Sequence, residues 1–284
     1  MSRARQHRRH HQRSGVITKV GLAVATIVFL GPLVFMIVGA LKPGNRVLSE
    51  STSWKAFVPT NPSLHNLREA VHRGQFVLLL RNSVVVSATT VVLGLAVNST
   101  FGYALARLRF RGRKLMLAAV IALSIVPFQA IAIPLLYLMS GWGWRNSFRG
   151  LVVPFVANPF FIYLFYSFFL DLPSELEEAA KLDGAGPLRI FWSIAVPLAR
   201  PAFATVGILS FLASWGELLW PALITDDVNV RTLPLGVSVF RSVPPIDQGV
   251  ILAFVLLAAV PTLALFVALQ RHFIASVARS GIKG

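Results

Sequence analysis

Residues 178–201 read EAAKLDGAGPLRIFWSIAVPLARP, a polar, helix-forming stretch between two strongly apolar segments. Gly184 follows a run of good helix formers, where a helix would stop, because glycine adopts the left-handed conformation without steric cost. Pro187 suits the first position of a second helix, and Pro197 and Pro201 favour the end of that helix. The stretch therefore predicts a helix, a sharp turn and a second helix.

The ends and faces of this helix pair can also be predicted. Ser174 and Glu177 have the spacing of a capping box, so the first helix is expected to begin at Glu175. Apolar residues recur at helical spacing in the second helix, at Leu188, Phe191, Trp192 and Ala195. The second helix is therefore expected to bury that face. The small residues around the turn would let another surface approach closely.

Composition places the whole chain in the membrane class. Of its 284 residues 55% are hydrophobic and only 13% are charged, whereas about a quarter of a soluble domain is charged. There is no cysteine, which excludes a disulfide framework and a thiolate metal site. The net charge of +16 fits basic cytoplasmic loops in a membrane protein better than nucleic-acid binding.

Six apolar stretches are long enough to cross a bilayer core of about 30 Å, which needs roughly 20 helical residues. They must be helical, because lipid offers no partner to a free backbone group. The predicted spans are 16–41, 82–106, 115–139, 148–170, 202–224 and 249–274. The predicted fold is an all-α polytopic membrane protein, with one transmembrane domain over 16–284 and a disordered basic tail over 1–15.

The distribution of basic residues predicts that both termini lie inside the cell. The segments then on the inner side hold 17 of the 27 lysines and arginines, as the positive-inside rule requires. The short segment 107–114, with five of them, is the strongest indicator. The first outer loop, 42–81, is an exception with six, but long loops weigh less. Leu64, Leu67, Ala70 and Val71 of this loop predict a short surface helix.

The N-terminal segment has two alternative interpretations. A cleaved signal peptide is disfavoured, because the apolar run 16–41 exceeds an h-region of about 7–15 residues. Histidines in the tail suggest a metal site: His7, His10 and His11. We prefer a basic tail lying near anionic lipid headgroups, without nucleic-acid binding.

Several polar residues lie inside the predicted spans. Asn98 and Asn158 are candidate donors along a solute pathway. Glu217 is the acidic residue well inside a span, and such a residue is costly in lipid. It could line a pathway, but its place near a span end favours a structural hydrogen bond. Three tryptophans are expected in an interfacial aromatic belt: Trp142, Trp144 and Trp220.

Motifs for catalysis are absent from the sequence. It contains no G-x-x-x-x-G-K-[ST], H-E-x-x-H or G-x-S-x-G pattern, which would indicate a phosphate loop, a zinc site or a nucleophilic serine. We therefore predict no catalytic residue, no metal ligand and no cofactor on this chain.

The loop closely resembles the E-A-A-x-x-D-G-A motif of permease subunits in binding-protein-dependent ABC importers, followed by F, I, P and P at fixed offsets. The matching residues are Glu178, Ala179, Ala180, Asp183, Gly184, Ala185, Phe191, Ile194, Pro197 and Pro201. Segments 61–83, 215–221 and 270–284 are similar to the second permease of maltose-type carbohydrate importers, although Gly216 stands where that family often has Asn. The resemblance covers about 16–284.

This resemblance implies the permease fold of ABC type I importers, with six spans and both termini inside a bacterial plasma membrane. Loop 171–201 would form a coupling helix that docks on an ATPase subunit. The coupling residues would be Glu178, Ala179, Ala180, Asp183, Gly184, Ala185 and Pro197. The C-terminal tail would reach between the ATPase domains through Ser280, Gly281, Lys283 and Gly284.

The resemblance also implies partners: a second six-span permease, two ATPase domains or a homodimeric ATPase that binds ATP and Mg²⁺, and an extracytoplasmic solute-binding protein. The solute would be a sugar, an oligosaccharide or a related polyol derivative. Two alternatives rest on the residues alone. Proline-broken spans are compatible with an ATP-independent carrier or channel, and Glu217 with a membrane-embedded enzyme. We adopt the importer as the working hypothesis.

Overall fold

The computed structural model describes residues 3–242 and 246–280, and these residues are helical or irregular, with no strand among them. The α-helices are α1 (Arg3–Leu41), α2 (Gly44–Ser49), α3 (His65–Arg73), α4 (Phe76–Arg107), α5 (Arg113–Ile125), α6 (Phe128–Gly141), α7 (Phe148–Val156), α8 (Pro159–Leu170), α9 (Ser174–Leu182), α10 (Pro187–Ile190), α11 (Val196–Leu198), α12 (Arg200–Trp215), α13 (Leu219–Ile224), α14 (Gly236–Ser242) and α15 (Gln248–Ser280). Trp54–Phe57 and Leu233–Leu235 are 3₁₀ helices, and Phe191–Ala195 is a π-helix.

Four helices in the described part of the chain are long and apolar enough to cross a membrane. They are Thr18–Leu41, Phe76–Arg107, Phe148–Leu170 and Gln248–Leu265. The number rises to six if each of two sharply bent helix pairs is one span. The predicted class, an all-α polytopic membrane protein, is confirmed.

Three predicted spans are not single helices, and one of them, 148–170, consists of α7 and α8 with a break between Val156 and Pro159. Within 115–139, α5 and α6 meet at an angle of 102°. Pro127 is the N-cap of α6, with an extended ψ of 137°, and proline cannot donate the bond that would continue α5. Within 202–224, α12 ends at Trp215 and α13 begins at Leu219. These breaks lie in spans that contain prolines, as expected for the proline-broken spans of the sequence analysis.

The N-terminal tail also differs from its prediction, because α1 begins at Arg3. Residues 3–14 contain no glycine or proline, so they can extend the helix of the first span at little cost in propensity. The side chains of the tail histidines and of Ser280 lie outside the described residues, as do Gly281, Lys283 and Gly284 entirely.

The chain divides into two compact units, Met1–Phe76 with Val237–Gly284, and Val77–Gly236. In the first unit α1 and α3 pack on α15, which confirms the short helix predicted in the first loop. The buried Asn66 donates to the carbonyls of Ala40 and Lys42 over 3.0 and 2.6 Å. These two bonds hold the turn after α1 against α3.

An ion pair stabilises the loop that follows α1. The fully buried Lys42 lies 2.9 Å from the Glu50 carboxylate and also donates to the Lys55 carbonyl. The hydrogen bond from Lys42 holds the pKa of Glu50 below its ordinary value. The carboxylate thus stays charged beside the buried ammonium.

In the second unit α4 and α8 approach each other closely at Gly102. A Cβ added at Gly102 would lie 2.6 Å from Phe165 Cβ and 2.8 Å from the Tyr166 amide nitrogen. Phe165 is fully buried, and its ring lies 4.8 Å from that of Phe203 on α12. Glycine at 102 therefore sets the spacing of α4 and α8.

A second aromatic cluster joins α13 to α6 and α7. Trp220 is completely buried, and its Nε1 donates to the Gly150 carbonyl over 2.9 Å. The rings of Phe128 and Phe155 lie about it at 5.9 and 6.2 Å. Trp220 is therefore a core residue, and its predicted place in an interfacial belt was wrong, because both its ring and its N–H find partners inside the protein.

The close approach at Gly102 gives a direct test. We expect Gly102→Ala to lower the free energy of unfolding by about 1–3 kcal/mol, because the added methyl must separate two packed backbones. Gly207→Ala is the matched control, since a Cβ there meets only Leu95 Cδ1 at 3.7 Å. Thermal unfolding of the detergent-purified chain measures both. Equal midpoints for the two variants would contradict the packing argument.

Candidate functional site

The helix, turn and helix predicted from residues 178–201 are present. Gly184 has φ +78° and its amide donates to the Lys181 carbonyl over 3.0 Å, while the Ala185 amide donates to the Ala180 carbonyl over 2.9 Å. These two bonds make a Schellman motif, which uses glycine to end a helix. Pro187 is the first residue of α10, as predicted.

The predicted capping box is absent. The helix begins at Ser174 rather than Glu175, Pro173 occupies the cap position, and no side chain caps the first turn. Glu177 is only 6% exposed, and its carboxylate lies 3.5 Å from Arg107 Nε. The carboxylate faces this guanidinium instead of the backbone, because charge pairing is the stronger interaction in a buried place.

The buried face of the second helix also differs from its prediction. Leu188 and Trp192 are 73% and 62% exposed, although both were expected to be buried. The buried residues are Ile190, Phe191, Ala195 and Ala199. Phe191 and Ala195 were therefore predicted correctly, and Leu188 and Trp192 were not. The prediction assumed regular α-helical spacing, whereas Phe191–Ala195 is a π-helix, whose turn is wider.

Pro197 does not end the second helix, which continues to Leu198. The bend comes after it, where Pro187–Leu198 and Arg200–Trp215 meet at 78°. Pro201 lies in the first turn of α12, so only Pro201 marks a helix boundary as expected. The bend turns the chain from the loop into the next apolar helix.

Aromatic packing fixes the loop to two apolar helices. The Phe191 ring lies 5.0 Å from that of Tyr103 on α4 and 6.2 Å from that of Phe169 on α8. Tyr103 and Phe169 themselves meet edge to face at 5.4 Å. All three side chains are buried, so the loop cannot shift without displacing the ends of α4 and α8.

A second link is made by Arg107, the last residue of α4. Its Nε donates to the Phe169 carbonyl over 2.7 Å and its Nη2 donates to the Leu172 carbonyl, in addition to the ion pair with Glu177. Sequence reasoning counted Arg107 only toward the charge bias. Its position at the end of a predicted span, together with the acidic residues of loop 171–201 that is expected on the same side of the membrane, was the available signal.

The opposite side of the loop is open. We call Leu182, Leu188 and Trp192 the docking face; Leu182 is 90% exposed. Most of the predicted coupling residues are also exposed, namely Glu178, Ala179, Asp183, Gly184 and Pro197, while Ala180 and Ala185 are half-buried. Large apolar side chains thus lie on both sides of the turn, whose central residue, Gly184, has no side chain.

The predicted pathway residues Asn98 and Asn158 meet at the break between α7 and α8. Asn98 Nδ2 donates to the Val156 carbonyl over 3.0 Å, and its Oδ1 accepts from the Asn158 amide over 2.9 Å. Asn158 Oδ1 accepts in turn from the amides of Phe160 and Phe161. Asn98 Nδ2, Asn98 Oδ1 and Asn158 Oδ1 therefore all bond to backbone groups at this helix break.

Glu217 has a similar structural contact. Its Oε1 accepts from the Trp220 amide over 3.0 Å, an otherwise free donor in the first turn of α13. The contact agrees with the structural role favoured for this residue.

The fold and the loop describe an integral membrane protein in which a helix pair is held firmly on one side and exposed on the other. Residues 98–279 match the family described as the inner membrane component of binding-protein-dependent transport systems. The chain belongs to this family, and it is a multi-pass membrane protein.

Two relatives and one solved structure illustrate the likeness. The arabinooligosaccharides transport system permease protein AraQ of Halalkalibacterium halodurans is 30% identical over 266 residues, 93% of this chain and 95% of the relative. The diacetylchitobiose uptake system permease protein NgcG of Streptomyces coelicolor is 29% identical over 272 residues, 94% and 89% of the two chains. A chain of a bacterial ABC transporter involved in alginate import has the same fold, with a TM-score of 0.80, 21% identity and coverage of 93% and 98%.

The turn at Gly184 can be tested by one methyl group. No atom lies within 4 Å of a Cβ at this position, so Gly184→Ala tests only the left-handed conformation, which costs about 1 kcal/mol or more with a side chain. We expect the amides of 180–185 to exchange with solvent about fivefold faster, because the end of α9 opens more often.

Gly186→Ala is the control, because Gly186 has φ −74° and also has no close neighbour. Hydrogen exchange of both variants by mass spectrometry makes the comparison. Equal exchange in 180–185 would show that Gly184 does not hold the turn.

Proposed function

We propose that this chain is a membrane subunit of an ATP-driven sugar importer and that loop 171–201 couples it to a separate ATPase. The chain has no phosphate-binding loop of the usual pattern, so the energy must come from a partner. Closure of the ATPase subunits would displace the loop, and the loop would carry α4 and α8 with it.

The docking face is the observation that supports this proposal most strongly. Leu188 and Trp192 lie one turn apart on one side of their helix, and both are exposed. Exposed apolar residues on a polar loop indicate a protein contact, whereas lipid contact would not require the acidic residues Glu178 and Asp183 beside them. A groove on an ATPase subunit is the fitting partner, since helices recognised in grooves present spaced apolar anchors.

The remaining partners follow from membership of the family. A second six-span permease would complete the pathway, and an extracytoplasmic binding protein would deliver the solute. ATP and Mg²⁺ would be bound by two ATPase domains or a homodimeric ATPase, with Ser280–Gly284 reaching between them. This arrangement requires six spans, both termini inside the cell and the loop 171–201 on the inner side.

A sugar is the proposed solute. AraQ and NgcG are named for arabinooligosaccharides and diacetylchitobiose, and the likeness to each spans nearly the whole chain. We assign no solute contact on this subunit, because both polar atoms of the Asn98 side chain, Asn158 Oδ1 and Glu217 Oε1 make structural hydrogen bonds.

Replacement of one exposed tryptophan tests the coupling role. The complex is purified from membranes through an N-terminal tag, and co-purified ATPase is measured as MgATP hydrolysis. We expect Trp192→Glu to reduce the co-purified MgATP hydrolysis about tenfold or more, since a tryptophan in an interface often contributes about 2 kcal/mol or more to the binding free energy.

Trp142→Glu is the matched control, because Trp142 is 55% exposed but lies in a segment predicted to be outside. Full retention of the ATPase in the Trp192 variant would contradict the proposed contact. Solute flux through the purified chain alone in liposomes would instead indicate an ATP-independent carrier or channel.

The solute class is tested by uptake. Cells with and without this chain are compared for accumulation of labelled arabinotriose, diacetylchitobiose and maltose, with a labelled tripeptide as the control. We expect deletion to abolish uptake of at least one sugar and to spare the peptide. Loss of peptide uptake with all three sugars unaffected would contradict a sugar importer.

A further inference from the structure

Arg107 joins three elements at the inner end of the second unit. It ends α4, donates to two carbonyls at the end of α8 and just beyond it, those of Phe169 and Leu172, and pairs with Glu177 of α9. Its side chain is only 12% exposed. Few donors other than a guanidinium could make these contacts together, because they need several N–H groups in one plane.

Glu177 depends on this arginine. One carboxylate oxygen, Oε1, is buried and accepts no hydrogen bond from the residues that the structure describes. The other, Oε2, lies 4.0 Å from Lys181 Nζ, on a lysine that is largely exposed. A buried carboxylate needs a charge partner, and Arg107 Nε at 3.5 Å from Oε1 is the nearer one.

The aromatic contacts and the arginine hold different parts of the loop. Phe191, which packs on Tyr103 and Phe169, belongs to the second helix. Glu177 belongs to α9, the helix that carries Glu178 and ends in the Gly184 turn. Without Arg107 the second helix would keep its packing, while α9 would lose its charged link to α4.

We infer that Arg107 is a positioning residue that makes α9 and the ends of α4 and α8 move as one body. The inference rests on the proposed function, because it concerns how displacement of the docked loop reaches the membrane helices. Loss of the link would leave the ATPase docked and active, but its movement would no longer be passed fully to α4.

A pair of spin labels can measure this link, because the chain contains no cysteine of its own. Glu175→Cys on α9 and Arg111→Cys beyond α4 are both exposed and lie outside the docking face and the proposed coupling residues. The label separation is measured by pulsed electron resonance in the tagged complex, without nucleotide and after trapping with MgATP and vanadate.

In the otherwise unchanged chain we expect one separation in both states, because the two labelled segments move together. In Arg107→Gln we expect the label separation to differ between the nucleotide-free and the trapped state. The difference should exceed the width of the distance distribution measured in the unchanged chain, and MgATP hydrolysis should be retained. Arg113→Gln is the matched control, since Arg113 donates to the nearby Ala106 carbonyl but has no described contact with the loop.

A nucleotide-dependent separation in the unchanged chain, or a nucleotide-independent one in Arg107→Gln, would overturn the inference. Should Arg107→Gln fail to assemble, Glu177→Gln decides, because it keeps both bonds from Arg107 to the Phe169 and Leu172 carbonyls and removes only the charge pair. A constant separation in that variant would overturn the inference too. Failure of the proposed function is recognised separately, by the absence of any ATP-hydrolysing subunit in the purified complex.

Discussion

A membrane interior contains no water to hydrogen-bond a carbonyl or amide group that a broken helix leaves free. This chain has several breaks, and a side chain closes each of those that matter for the loop. Asn98 of α4 bonds to both sides of the break between α7 and α8. Arg107 takes up two carbonyls where α8 ends. The same helix, α4, thus supplies the side chains that bond to backbone groups at both places.

The contacts of Arg107 at the end of α8 fix the start of the loop that follows. One side of it is held by Phe191 among buried aromatic rings and by the ion pair of Glu177. On the other side the docking face and the turn at Gly184 are exposed. A loop built in this way is stiff toward its own subunit and accessible to another, which are the two properties that a mechanical connection requires.

Much of this arrangement could be predicted from the sequence, and the failures have specific causes. The glycine turn and the proline start were predicted because they depend on backbone conformation, which Gly184 and Pro187 fix locally. The capping box failed because Glu177 had a distant partner, Arg107, that local spacing cannot reveal. The buried face was predicted correctly at Phe191 and Ala195 but not at Leu188 and Trp192, because regular helical spacing reveals neither the π-helix nor which side of the loop packs on α4 and α8. Likewise Asn98, Trp220 and Arg107 were given roles from their type and depth, whereas their actual partners lie about 60–70 residues away in the chain.

The separation of the two sides of the loop has a consequence for how such transporters diversify. Substitutions on the side that packs inward are constrained by the fold of this subunit, while those on the outward side are constrained only by the partner. In the proposed importer, the surface offered to the ATPase could therefore change at a few exposed positions, while the residues that pack against α4 and α8 stay the same.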